Sequence, residues 1–159
     1  MRYRFGAVVV FHEGRLVLTL NADRLPAGTE AGRLRVGGVG GACEEGESVE
    51  DCARREAEEE LSVPVELLSA FAVEPAGTVF LARLRGEPEP GDVEGLLLVP
   101  LAAWPLLERE PTVAEAREAG CRIVERGALA PGTRLWLHPD EGFREVVPRL
   151  TQEVAASLG

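Results

Sequence analysis

The first apolar runs of the chain, at 4–12 and 15–20, are separated by Glu13-Gly14, and this spacing predicts two strands joined as a hairpin. Residues 21–35 break the pattern with Asn21, Pro26, Gly28 and Gly32 and read as a loop. Val36-Gly37-Gly38-Val39-Gly40-Gly41 then places four glycines in six residues, so the backbone is expected to turn sharply or approach something closely. Ser48, with Asp51 three residues on, predicts a helix N-terminus, and the helix runs over 49–61 before Pro64. Strands are expected at 65–73 and 77–85 around a Pro75-Ala76-Gly77 turn, and at 96–101 after a loop at 87–91. Helices are expected at 112–119 and 143–157, the second apolar at Val146, Val147, Leu150, Val154 and Leu158. No repeat and no long linker divides the chain, so 1–159 is read as one domain. The order strands, helix, strands, helix predicts an α/β (α+β) sandwich.

Composition narrows the chemistry. With 159 residues, 45% of them hydrophobic and 28% charged, the chain is long enough for a core and is not of disordered type. All 17 basic residues are arginine, which excludes a Schiff-base lysine and a phosphate-loop lysine. A net charge of −10 and a pI near 4.8 argue against a nucleic-acid polymer as partner. No apolar run approaches the ~18 residues of a membrane span, and the opening stretch is too short for a signal peptide. Three cysteines (Cys43, Cys52, Cys121) are too few for a disulfide framework and contain no C-x-x-C pair, so a reducing cytoplasm is the expected compartment.

The negative charge is concentrated. Residues 44–60 hold nine carboxylates against Arg54 and Arg55. On a helical wheel with Val49 at zero, Ala53, Ala57 and Leu61 fall at about 40°, 80° and 120° and form a core stripe. Glu56, Glu59 and Glu60 fall at about 340°, 280° and 20°, beside that stripe and not opposite it. Like-charged pairs so placed each cost ~0.2–0.5 kcal/mol even in water. Two readings stay open on these residues alone: a solvated acidic helix, or a hard divalent cation such as Mg²⁺ that draws the carboxylates together next to a glycine turn.

The stretch from Gly41 to Val63 resembles the Nudix hydrolase box, G-x5-E-x7-R-E-U-x-E-E-x-G-U, where U is aliphatic. Gly41 opens it, Glu47 is the first acid, Arg55-Glu56 the central pair, Ala57 the first aliphatic, Glu59-Glu60 the acidic pair and Val63 the last aliphatic. The resemblance implies a Nudix-type α/β/α sandwich with a mixed β-sheet. It implies Mg²⁺, with Mn²⁺ as a substitute, held by Glu56, Glu59, Glu60 and the Gly40 carbonyl, with Glu44 as an outer ligand. Arg55 would hold Glu47 or Glu59. The general base would be a box glutamate or an acid from a later loop, where Glu110 is the first choice and Glu94 also falls. The activity implied is cleavage of a diphosphate linkage in a nucleoside diphosphate joined to another group (NDP-X). Specificity would come from loops and often from a partner in a homodimer. A catalytically silent nucleotide-binding sensor or scaffold is the alternative. Ser62 stands where the pattern has glycine and Val39 where proline usually precedes the double glycine. His12 and His138 are read as ordinary surface or core residues, Cys43 and Cys52 as flanking the site without a thiol mechanism, and Trp104 and Trp136 as core or base-stacking groups.

Overall fold

β1 (Phe5–His12) and β2 (Arg15–Asn21) form the hairpin expected from their apolar runs, with Glu13 and Gly14 both at positive φ in the turn. The computed structural model describes residues 4–22, 32–74, 77–137 and 147–150. The two strands pair only near the turn, at Phe11–Leu16 and His12–Arg15, and then diverge. β3 (Arg33–Gly37) pairs antiparallel with β2, the strand is interrupted at Gly38, and β4 (Val39–Ala42) crosses over to pair antiparallel with β1. The glycine run therefore lies in two short strands bridging diverging neighbours; of the sharp turn or close approach expected there, the structure shows the close approach. The Thr19 hydroxyl, on buried β2, marks the crossing by donating to the Gly38 carbonyl at 3.3 Å.

α1 (Val49–Leu61) begins at Ser48, whose Oγ accepts from the Asp51 amide at 3.1 Å. Its buried side chains are Cys52, Ala53, Ala57 and Leu61. Two alanines in that stripe let the helix axis lie close to the strands. Together with Leu61 they pack into one core with Val8 and Val10 of β1, Val17 of β2 and Val39 of β4. Full burial of a leucine is worth ~1.5–3 kcal/mol, so this small face holds the helix in place despite its charge.

β5 (Val65–Glu74) and β6 (Gly77–Leu84) are antiparallel, and β6 runs parallel to β1 on the edge away from β4. β7 (Gly95–Pro100) lies antiparallel to β2 along its whole length and carries β8 (Arg122–Glu125) on its outer edge. β9 (Arg134–Leu137) runs parallel to β3. A second core on the face away from α1 joins Leu16, Leu18 and Leu20 to Leu107 of α2 (Trp104–Leu107) and to Val113 and Ala116 of α3 (Val113–Glu118). Mixed strands between helices on both faces make the expected α/β/α sandwich.

Four elements differ from the sequence reading. β3 starts inside the stretch read as loop, while β8, β9 and the single turn α2 had no expectation at all. The last three are short, four residues each, at the lower limit at which apolar spacing marks an element. The helix expected at 143–157 lies mostly outside the described residues; within them, Val147–Arg149 forms one 3₁₀ turn.

Candidate functional site

The site is built where β4 meets the flank of α1. Gly40 has φ 149°, and its amide donates to Glu60 Oε1 at 2.7 Å. A Cβ on Gly41 would lie 2.6 Å from Glu56 Oε2, so only glycine lets the strand approach the helix carboxylates this closely. Thus the pair of glycines packs the backbone of β4 directly against the acidic flank predicted from the wheel.

Arg55 balances much of that charge. Its Nε and Nη2 reach Glu47 Oε2 and Oε1 at 2.8 and 2.9 Å, a bidentate pair. Nη1 reaches Glu56 Oε1 at 3.1 Å and Glu59 Oε1 at 3.2 Å, and Nη2 also donates to the Ala42 carbonyl at 3.0 Å. The hydrogen bonds from Arg55, with one from the Glu44 amide, hold the Glu47 carboxyl down to about 2, and Glu47 in turn raises Arg55 further above its ordinary value. One guanidinium therefore ties the loop before α1, through Glu47 and the Ala42 carbonyl, to two of the helix carboxylates, Glu56 and Glu59.

Glu60 stands apart from this network. Burial pushes its carboxyl up to about 8, against the opposing effect of the Gly40 amide, and the charges of Glu56, Asp92 and Glu59 push in the same direction as burial. Among the described residues no arginine is paired with Glu60. Glu56 is also raised, first by burial, with Arg55 opposing and Glu59 and Asp92 adding to it. A half-buried group of carboxylates with more negative charge than its one arginine offsets could hold a hard cation, and its donors are all oxygen.

Asp92 had no place in the sequence reading, although Glu94 two residues on was considered. Its position follows from how α1 ends. The carbonyls of Glu58, Glu59, Glu60 and Leu61 accept from the amides of Ser62, Asp92, Gly91 and Glu89 at 2.9, 3.0, 2.9 and 2.9 Å. The segment 89–92 thus satisfies three of the four orphan carbonyls of the helix. Gly91 is required for this, because a Cβ there would run into the Glu59 carbonyl. The only sequence signal was a glycine before an acid in a loop, which does not say what the loop docks on.

The remaining candidates lie as follows. Glu44 is exposed, with Oε1 at 3.8 Å from Arg55 Nε, while its amide donates to Glu47 Oε1 at 2.9 Å. Glu110 is engaged elsewhere: Oε1 accepts from Arg33 Nη2 at 2.6 Å and its carbonyl accepts from Arg134 at 3.0 Å. Arg33 also stacks on Trp136, 4.8 Å from the ring centre. His12 binds Glu87 at 2.8 Å beside Arg122, far from the β4–α1 contact in the chain. His138 lies outside the described residues. One expectation is corrected: Cys43 and Cys52 form a disulfide with Cα atoms 5.1 Å apart, while Cys121 is free and buried. Counting cysteines missed it because a single bridge needs only two strands of backbone brought side by side, not a framework.

Among the described residues, the triplets whose ligand atoms lie within 4.8 Å of one another are Cys43–Glu47–Cys52 and His12–Glu13–Glu87. The first is a disulfide beside an arginine-paired carboxylate, and the second is already bridged by Arg122, which binds both Glu13 and Glu87. The oxygens of Glu56 and Glu59 are turned onto Arg55 and that of Glu60 onto Gly40, which explains why this trio is adjacent without being that tight.

The NUDIX domain family matches the chain over residues 2–119. Among solved structures, an ADP-ribose pyrophosphatase from Streptococcus suis 89-1591 superposes with a TM-score of 0.51 at 22% identity, covering 64% of this chain and 76% of that one. At that identity the likeness is one of fold. A MutT NUDIX hydrolase from Burkholderia pseudomallei is 26% identical over 64% of this chain and 85% of that one, with a TM-score of 0.49. MutT from the work on Aliivibrio salmonicida and Vibrio cholerae is 19% identical over 67% and 86%, with a TM-score of 0.49. No match is found among the curated proteins.

Proposed function

Because the chain belongs to the Nudix hydrolase family, whose members act on nucleoside diphosphate derivatives, we propose that it is a Mg²⁺-dependent pyrophosphohydrolase cleaving the diphosphate linkage of an NDP-X substrate. The observation that carries this is the unbalanced carboxylate group: Glu60 half-buried beside Glu56, with Glu59 and Asp92 adding charge. The ligand set is Glu56, Glu59 and Glu60, with the Gly40 carbonyl and Glu44 at the rim. The donor set is hard oxygen throughout, which suits Mg²⁺ and also Mn²⁺ and does not suit a soft metal. When bound, the cation supplies charge neutralisation of the diphosphate and a lowered pKa for an attacking water.

The chain's own residues do the rest. Arg55 keeps Glu47 ionised and fixes the loop before α1, and so positions the helix-side carboxylates. Gly40 and Gly41 let the backbone of β4 lie against Ala7 of β1 and against the Glu56 carboxylate, where a Cβ on either would collide. Asp92 is our choice of general base in place of Glu110. Its backbone is fixed to Glu59 and its charge is felt at both Glu56 and Glu60, whereas Glu110 is neutralised by Arg33. We place the protein in the cytoplasm, where nucleotide substrates are at hand; no described helix is long and apolar enough to cross a membrane.

The test is a panel of nucleoside diphosphate derivatives assayed for release of a nucleoside monophosphate, with Mg²⁺ and with EDTA. Turnover that needs Mg²⁺ and is lost in Glu59→Gln is the expected result. Tight nucleotide binding without product from any substrate would leave a sensor instead.

A further inference from the structure

We propose that Cys43 and Cys52 are a reversible thiol–disulfide clamp that fixes the segment between them and thereby sets how strongly the α1 carboxylates bind a divalent cation. Cys43 follows β4 directly and Cys52 lies within α1, so the bond joins the loop before the helix to the helix itself, nine positions apart. That loop contains no buried residue of its own: Glu44, Glu45, Gly46 and Ser48 are exposed. It is held by polar contacts, namely the Cys43 amide on the Arg4 carbonyl at 2.9 Å, the Glu44–Glu47 turn, and Glu47 on Arg55. Arg55 passes any movement on, because the same guanidinium holds Glu56 and Glu59. The bridge is the one covalent tie in this stretch, and a tie on an exposed loop is where breaking it changes local order most.

The two sulfurs differ in access. Cys52 is fully buried, whereas Cys43 is half-exposed. Oxidation by a small-molecule disulfide RSSR would start at Cys43, whose thiolate attacks one sulfur, breaks the S–S bond and expels RS⁻. The Cys52 thiolate then attacks Cys43 Sγ and expels the second RS⁻, and the two cysteine protons end on the two RSH released. Reduction by a small thiol runs the same steps in reverse. Cys121 is buried in the other core and is not a partner.

The effect on the cation rests on the metal reading above, so the experiment separates the two. The full chain is equilibrated with glutathione disulfide or with a reductant, and thiols are counted by alkylation in denaturant. Amide exchange over 43–48 is then measured, followed by Mg²⁺ titration. The oxidised form should expose one alkylatable thiol against three when reduced. The reduced form should exchange ~10-fold faster over 43–48 and bind Mg²⁺ roughly tenfold more weakly, the lower edge of what partners of metal ligands contribute. Cys43→Ser should match the reduced form under both conditions, and Cys52→Ala serves if that variant folds poorly. Equal Mg²⁺ affinity in the two forms overturns the switch, as does failure of glutathione disulfide to protect two thiols. No Mg²⁺ binding in either form overturns the metal reading and the switch with it.

Discussion

Just before α1, Glu47 is gripped by two nitrogens of Arg55 and is held down to about 2; near the helix end, Glu60 is half-buried with one amide for company and is pushed up to about 8. The two carboxylates belong to one short acidic segment, yet one has its counter-charge built in and the other does not. Within a fold, a carboxylate left without a counter-charge next to others is costly unless something external supplies the positive charge. The contrast teaches where the fold supplies its own counter-charge and where it does not. Glu47 is structural, and Glu60 is the position that a cation would relieve.

Replacing each by its amide breaks the contrast most strongly. Glu60→Gln should lower kcat/KM by on the order of 10³-fold, several kcal/mol of charge stabilisation, while raising the metal-free Tm at pH 8 or above because the neutral amide removes the buried charge. Glu47→Gln should do the reverse to stability, lowering Tm at every pH above about 5, since Arg55 loses its main anion. Steady-state kinetics with parallel melting curves distinguishes them. If both variants lost stability alike, the division between a finished and an unfinished end of the helix would be wrong.

The next largest effect is geometric. Gly91→Ala forces a side chain against the Glu59 carbonyl and must lift the segment that docks Asp92 onto the helix end. A displacement of ~1 Å at a reacting group can cost ~10²-fold, so kcat should fall by about that factor with KM little changed. Unchanged kcat would remove Asp92 from the reaction.

How much of this was visible in the chain depends on whether the cause was local. α1 runs over the residues its apolar stripe and Ser48 cap predicted, because helix period and capping are properties of neighbouring residues. The placement of Glu56, Glu59 and Glu60 on the flank of the core stripe followed from the same geometry. Asp92 was not legible, since its place is set by backbone amides that satisfy carbonyls some 30 positions earlier in the chain. Nor was the disulfide, which needs β4 and α1 side by side. The glycine run misled in shape but not in purpose: close approach was expected, and Gly41 achieves it as a strand. β9 escaped because its four residues pair with β3, about a hundred positions earlier.

The same contrast gives a pH dependence of smaller size. Glu60 binds its proton more tightly folded (about 8) than the ordinary 4.5, so metal-free stability from this group is full below about 4.5 and is lost as pH rises through 8. Glu47 works in the opposite sense, its stabilisation present above 4.5 and lost only as pH falls toward 2. The metal-free Tm should therefore decline between about pH 5 and 8 and level off above, and the rise in Tm on adding Mg²⁺ should grow over the same range as proton and cation compete for Glu60. Melting curves at fixed Mg²⁺ across that range check it; a shift that shrinks with pH would contradict the assignment.

The smallest effect lies at the last residue of the helix end that Asp92 docks on. Ser62 sits in the left-handed region at φ 65°, ψ 8°, with its amide on the Glu58 carbonyl. A side chain there costs ~1 kcal/mol relative to glycine, and the exposed serine makes no described contact that glycine would forfeit. Ser62→Gly should therefore raise Tm by about 2–4 °C for a chain of this size. Activity should stay within about twofold, because the three carbonyls bound by residues 89–92 are untouched. If instead activity rose along with Tm, the docking of Asp92 would be limited by fraying of this last turn, and the finished end and the unfinished end of the helix would be energetically coupled.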